Sequence, residues 1–274
     1  AQEELTITKF SDLVVINADD VDQGFIEAYV PANKPTLLYG SAIDTNRFLF
    51  ENGVVNLVLG NDKKELSAQT NLIARQSIKS VVAAAVVADQ LGMDTAQITA
   101  GISKVTQPAG RMQLLHGIKN SVIIDDSYNA SPLAVKAALS TLYAQNAPQR
   151  IALLGNMNEL GETSQHSHEE IGMLCDPKFV NLVVTLGKDA NQYTAAQAEA
   201  AGCTVIRTNS PYEAGNVIAH NLQEGAAVLI KGSQTGVFSE EAIKSVLANS
   251  EDSSKLVRQS EFWLTKKRSE FAKV

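Results

Sequence analysis

Residues 121–132 read Ser121-Val-Ile-Ile-Asp125-Asp126-Ser127-Tyr128-Asn129-Ala130-Ser131-Pro132. Val122 to Ile124 form a short apolar run suited to a buried strand, and Pro132 opens an Ala- and Leu-rich helical pattern over Leu133 to Tyr143. The polar residues between them occupy a strand-to-helix turn. In α/β proteins ligands bind at such turns, because the unpaired N–H groups and partial positive charge of a helix start face the end of a strand.

Toward the carboxyl end the same alternation continues. Strands are predicted at Ser121 to Asp125, Arg150 to Leu154, Asn181 to Leu186, Thr204 to Arg207 and Ala227 to Ile230. Helices are predicted at Leu133 to Tyr143, His166 to Cys175, Ala190 to Ala201, Tyr212 to Leu222 and Glu240 to Leu247. Continuous apolar strands separated by amphipathic helices imply a mostly parallel sheet covered on both faces, a Rossmann-like α/β domain. The tail from Ser250 is polar and charged around Trp263, so a short surface helix or disorder is expected there.

Toward the amino end, Asp12 to Asn17 reads as a strand running into the polar Asn17-Ala-Asp19-Asp20, and Pro35 to Tyr39 as a second strand. Apolar alternation from Asn46 to Leu59 on both sides of Asn52-Gly53 predicts a β-hairpin. Helical spacing runs from Thr70 to Leu91 and stops at Gly92; Asp94 then caps a helix reaching about Lys104. Pro108-Ala109-Gly110 breaks the pattern, which sets the expected domains at 1–109 and 110–274.

A chain of 274 residues, 45% hydrophobic and 19% charged, can bury two medium cores. The net charge of -7 and pI near 5.2 argue against nucleic acid as the main partner, which would need clustered Lys and Arg. No apolar run approaches the roughly 18 residues of a membrane span, and Ala1-Gln-Glu-Glu-Leu5 lacks the basic start and apolar core of a leader. Cys175 and Cys203, the only cysteines, fit a reducing compartment. A cytoplasmic monomer is expected. The chain does not begin with Met, so it is expected to be a processed product or a piece of something longer.

Three polar constellations follow predicted strands. The first is Asp125-Asp126-Ser127-Tyr128-Asn129, a set suited to a sugar hydroxyl, a metal-bound water or an adenine edge, with Arg111 upstream able to fork onto a phosphate. The second is Leu154-Gly155-Asn156-Met157-Asn158-Glu159-Leu160-Gly161-Glu162, followed by His166 and His168. The third is Ile230-Lys231-Gly232-Ser233-Gln234-Thr235, where Lys231 could neutralise a phosphate or a carboxylate. Each admits a structural explanation when taken singly: Asp125 a helix cap, Asn129 a turn closer, Arg111 a salt bridge, His168 a cap, Lys231 a solvated strand end. Three polar loops on one sheet edge favour a site.

With these motifs in their order, from Gly110-Arg111 through Asp125–Pro132 and Leu154–Gly161 to Lys231-Gly232-Ser233, the sequence resembles the Mur ligase family, and within it the D-alanyl-D-alanine-adding branch. The resemblance implies a carboxyl-terminal Rossmann-like domain preceded by the later half of the family's central ATPase-type α/β domain. It implies an ATP- and Mg²⁺-dependent amide synthesis of peptidoglycan precursors, in which a UDP-MurNAc-peptide carboxylate is phosphorylated and the acyl phosphate is attacked by D-Ala-D-Ala. By the same resemblance Arg111, Asp126, Tyr128 and Asn129 would contact ATP, Asn156, Glu159 and Ser233 would face the amine substrate, and Lys231 and His168 would be catalytic; no metal ligand is carried over.

The sequence also departs from the family pattern. It contains no Gly-x-x-Gly-Lys-Thr/Ser phosphate loop, which in the family lies upstream of the point where these residues begin. Arg75-Gln76-Ser77-Ile78-Lys79-Ser80 stands where the family opens its Ala-rich helix with His-Asn and a further Asn, and Gln2 stands near the family's carbamylated Lys. Asn156 replaces a common Asp, and Gln234 a common Arg. A non-catalytic Mur-like module that binds nucleotide or muramoyl peptide is the alternative.

Overall fold

The structure, a computed structural model, describes residues 5–51 and 53–271, so the expectation attached to Gln2 lies outside the described residues. The chain divides into two compact units, 1–106 and 107–274.

In the first unit, β1 (Val14–Asn17) leads into α1 (Gln23–Tyr29), which starts at Asp22 because its carboxylate accepts the N–H groups of Gly24 and Phe25. Parallel to β1 runs β2 (Thr36–Tyr39). An antiparallel sheet follows, made of β3 (Arg47–Glu51), β4 (Val54–Leu59) and β5 (Lys64–Gln69). The β3–β4 hairpin is the one expected around Gly53, which takes a φ of +76°; its neighbour Asn52 lies outside the described residues. β5 went unpredicted, and it delays the helix expected from Thr70: α2 spans Arg75–Gln90. Along α2, Ile78, Val81, Val82, Ala85 and Val86 recur at helical spacing and form one core with Phe48, Val55, Leu57 and Leu59 of the sheet. α3 (Thr95–Ser103) begins with a full capping box between Asp94 and Gln97.

The second unit opens with β6 (Gln113–His116) and β7 (Val122–Asp126), and then alternates strictly. α4 (Pro132–Tyr143), β8 (Arg150–Gly155), α5 (Ser164–Met173) and β9 (Leu182–Leu186) come first. A π-helical turn at Ala190–Thr194 runs into α6 (Ala195–Ala200), followed by β10 (Val205–Thr208), α7 (Pro211–Asn221), β11 (Ala227–Lys231), α8 (Glu240–Ile243) and α9 (Glu261–Phe271). Six strands lie in the order β10-β9-β8-β11-β7-β6, parallel except for the edge strand β6. β9 and β11 are buried at every position, and β8 at all but its first, because helices cover both faces, which is the Rossmann-like, mostly parallel α/β fold. β6 escapes the sequence pattern: of its four residues only Leu115 is buried.

Candidate functional site

β8, β11 and β7 lie side by side, and because they are parallel their carboxyl ends bring three loops to one rim: 126–131, 156–158 and 231–235. Lys231 stands opposite Asp126 in the strand register, and its ammonium lies 2.5 Å from Asp126 Oδ2 and 2.9 Å from the Asn129 carbonyl it donates to. The N–H of Met112, in a left-handed backbone at φ +54°, donates to the other oxygen of Asp126 at 3.2 Å. Burial pushes the Asp126 carboxyl up and the Lys231 ammonium down; in each case the partner's opposite charge works against the shift.

Ser233 ties the loops together. Its Oγ accepts the Asn158 N–H at 2.8 Å and donates to the Ala130 carbonyl at 3.4 Å, while its own N–H donates to the Asn156 carbonyl at 3.0 Å. The Asn158 amide donates to the Thr235 carbonyl at 2.8 Å. Asn156 braces the next loop: its Oδ1 accepts the Ala190 N–H at 2.9 Å, and a Cβ on Gly187, at φ +100°, would come within 2.8 Å of that side chain.

His168 is buried, with both ring nitrogens engaged. Nε2 accepts the Met157 N–H at 3.0 Å, so the proton sits on Nδ1, which donates to the Ser164 carbonyl at 2.8 Å. His168 therefore holds the 156–158 loop and is closed to a substrate. The same holds for Lys231, only 2% exposed with its charge paired. Both are the residues the resemblance implies to be catalytic, and in this structure the polar atoms of both are engaged by the protein's own groups. Ser233 is likewise buried, whereas Glu159 is exposed at φ +63°.

Around the first loop the groups that reach solvent are Arg111, Tyr128 and Asn129. The Arg111 guanidinium lies 4.2 Å from the centroid of the Tyr128 ring, a cation stacked on an aromatic plate. Asn129 turns its Oδ1 onto the Ala130 N–H at 2.9 Å, which leaves its amide nitrogen for another partner. Beneath them Asp125 is fully buried. Its Oδ1 accepts the N–H and hydroxyl of Ser127 at 3.0 and 2.5 Å, its Oδ2 has no partner, and burial raises its pKa to about 6.

In the first unit, the strand-end turn Asn17–Asp20 is occupied by the chain's own cations. Asp20 pairs with Lys79, and Asp19 lies 3.7 Å from Arg75 while accepting the Ser41 N–H and hydroxyl at 2.9 and 3.1 Å. A cleft of about 690 Å³ is lined by Arg47, Asn56, Glu65, Ser67 and Arg75. Among the described residues no three His, Cys, Asp or Glu side chains converge, so the residues present do not build a metal cage. Among the described residues no helix is long and apolar enough to cross a membrane.

The buried residues Glu240, Arg258 and Lys267 were not anticipated. Arg258 donates to the carbonyls of Ser127 and Tyr128, and it pairs with Glu240, which also pairs with Lys267. No local pattern marks them, since a charged residue in a polar tail reads as solvated until the fold shows it buried.

Residues 110–234 match the family model described as Mur ligase, glutamate ligase domain. These residues make up most of the second unit, which is thus similar in sequence to the Mur ligase carboxyl-terminal domain. The similar proteins are mostly D-alanyl-D-alanine-adding ligases. The UDP-N-acetylmuramoyl-tripeptide--D-alanyl-D-alanine ligase of Escherichia coli (strain K12) is 27% identical over 181 residues, 65% of this chain and 38% of that protein. Its namesake in Bacillus subtilis (strain 168) is 25% identical over 178 residues, 64% of this chain and 39% of that protein. The chain thus spans less than two-fifths of the length of these two relatives. The MurF ligase of Thermotoga maritima, solved in complex with ADP, shares the fold at a TM-score of 0.67 with 20% identity, covering 85% of this chain and 54% of that one.

Proposed function

We propose that this chain is the nucleotide-facing and amine-facing portion of an ATP-dependent amide ligase of peptidoglycan precursor synthesis, which joins D-Ala-D-Ala to a UDP-MurNAc-peptide through an acyl phosphate. The observation that carries this function is the solvent-facing trio Arg111, Tyr128 and Asn129, set over the buried Asp126–Lys231 pair on a rim where three loops are tied together. These residues fit a nucleotide: a guanidinium for a phosphate, a flat ring for a base or ribose face, and an amide for a polar edge.

When bound, ATP supplies the phosphoryl group that turns a carboxylate into an acyl phosphate. Arg111 offers positive charge to a phosphate without a buried partner to compete for it, and Tyr128 presents its ring beside that charge. Asp126, Lys231, Ser233 and His168 hold the turn and its neighbouring loop at fixed separation, so that the amine reaches the acyl group along one rim. No side-chain nucleophile is needed.

Because the sequence holds no phosphate loop, the isolated 274 residues are expected to show weak or no ATP binding and no ligase turnover. Isothermal titration with ATP and Mg²⁺ tests the first point; submicromolar affinity contradicts it. The complete gene product should release phosphate from ATP only when UDP-MurNAc-tripeptide and D-Ala-D-Ala are both present. Hydrolysis indifferent to the amine would sink the ligase assignment.

A second function, a module that binds without making a bond, is favoured by the ion pairs of Asp19 with Arg75 and Asp20 with Lys79, which occupy the first unit's strand-end carboxylates. It predicts that the complete protein retains UDP-MurNAc-tripeptide yet never consumes ATP.

A further inference from the structure

The tail beyond the matched domain reaches back to the candidate nucleotide turn. Arg258, with its side chain 5% exposed, gives Nε and Nη2 to the two oxygens of the fully buried Glu240 at 2.8 and 2.6 Å. The same guanidinium gives Nη1 to the Tyr128 carbonyl at 3.0 Å and Nη2 to the Ser127 carbonyl at 2.8 Å. Lys267 of α9, fully buried, donates to Glu240 and Glu241 at 2.8 and 2.7 Å and to the Arg258 carbonyl at 2.8 Å. Phe238 meets Trp263 and Phe271 of α9 edge-on, with ring centroids 6.1 and 6.3 Å apart. Charge and aromatic contacts together seat the tail on the domain.

On the other side of the turn, the Tyr128 N–H donates to the Gly110 carbonyl at 3.0 Å. Val257, the neighbour of Arg258, fills the space beside Gly110: a Cβ there would lie 2.9 Å from Val257 Cγ1 and 3.2 Å from Tyr128 N. The backbone of Tyr128 is thus held at its N–H by one segment and at its carbonyl by another, and only the ring is left to face solvent. Consecutive carbonyls at a strand end have no ladder partner, and a planar five-donor fork can satisfy two of them while keeping its charge neutralised by a carboxylate.

We propose that Arg258 is a positioning residue for the nucleotide turn, so that the tail from Ser250 to Phe271 is a working part of the site although it lies outside the matched residues 110–234. This rests on the nucleotide role proposed for Tyr128. With its charge spent on Glu240, Arg258 acts through the backbone, fixing where the Tyr128 ring stands relative to Arg111.

The test uses Arg258→Lys and Arg258→Gln, read by amide hydrogen exchange on this chain and by titration of the complete gene product with ATP. Lysine keeps the charge for Glu240 but cannot serve both carbonyls, so both variants should exchange about tenfold faster over residues 127–130 and bind ATP about tenfold more weakly, with strands β8 and β9 unchanged. Unchanged exchange at the turn in both variants overturns the proposal. So does a loosened turn with unaltered ATP affinity, and so does faster exchange spread through β8 and β9, which would make the contact merely structural. If the complete gene product with its native residues shows no ATP binding at all, the nucleotide role of Tyr128 fails, and the exchange measurement alone decides whether Arg258 orders the turn.

Discussion

Lys231 faces Asp126 at the carboxyl ends of neighbouring parallel strands, with its ammonium 2.5 Å from the carboxylate and both side chains largely out of solvent. An ion pair so placed has already met its desolvation cost, and removing one member leaves an uncompensated charge. Lys231→Met should therefore destabilise the chain by about 3–5 kcal/mol, and adding Asp126→Leu should restore a large part of it. Urea unfolding of the single and double variants measures this; equal costs for the two would mean the charges are not coupled.

Asp125 sets a pH dependence of opposite sign to that of most carboxylates. Its pKa rises from 3.8 to about 6 because burial disfavours the charged form and Oδ2 finds no partner. Between those values the native state binds the proton that the unfolded chain releases, so stability contributed by this group is full below pH 3.8 and fades as pH climbs through 6. The size of the effect is about 3 kcal/mol. Asp125→Asn should flatten the native chain's loss of stability between about pH 4.5 and about pH 7 by about 2 kcal/mol, the part of the effect that falls in that window. Parallel slopes for the native chain and the variant in thermal melts would show that Asp125 ionises freely in the folded state.

His168 distinguishes a structural from a catalytic loop residue. Replacing it by Ala strands the Met157 N–H and the Ser164 carbonyl contact, at a cost of about 1–3 kcal/mol. The expected result is a lower denaturation midpoint with ATP affinity within about twofold of the native value. Full stability combined with loss of turnover in the complete gene product would return His168 to the chemistry.

Much of the second unit was legible because its strands are buried on both sides and read as plain apolar runs, and because Pro132 marks a helix start. The loops that end β7, β8 and β11 could be placed on one edge for the same reason. What each polar residue does there was not legible. Lys231 and His168 read as catalytic groups and Ser233 as a substrate contact, yet each is engaged by a partner elsewhere in the chain: Asp126, Met157 and Asn158. Arg258 and Lys267 gave no signal, since their burial depends on Glu240 and Glu241, which lie at the start of a four-residue helix that the periodicity overextends to Leu247. β5 and β6 were missed because their lengths, six and four residues, offer few buried positions.

The stacked pair Arg111 and Tyr128 remains the place where sequence expectation and accessible geometry coincide. Arg111 lies over the ring at 4.2 Å and is exposed, so Arg111→Ala removes charge from the surface without leaving a buried group unpaired. Stability should change by less than about 0.5 kcal/mol. Nucleotide affinity should fall about tenfold, the value of one charge-assisted contact to a phosphate. Arg111→Lys should restore little of it, because an ammonium cannot stack flat on the ring or fork onto two phosphate oxygens. Tyr128→Leu should weaken ATP binding in the same way and, combined with Arg111→Ala, should add little further loss if ring and guanidinium act as one surface. Competition titrations with ATP on the complete gene product resolve this. Full additivity of the two losses would separate the residues into independent contacts, and no loss from either would remove the nucleotide from this turn.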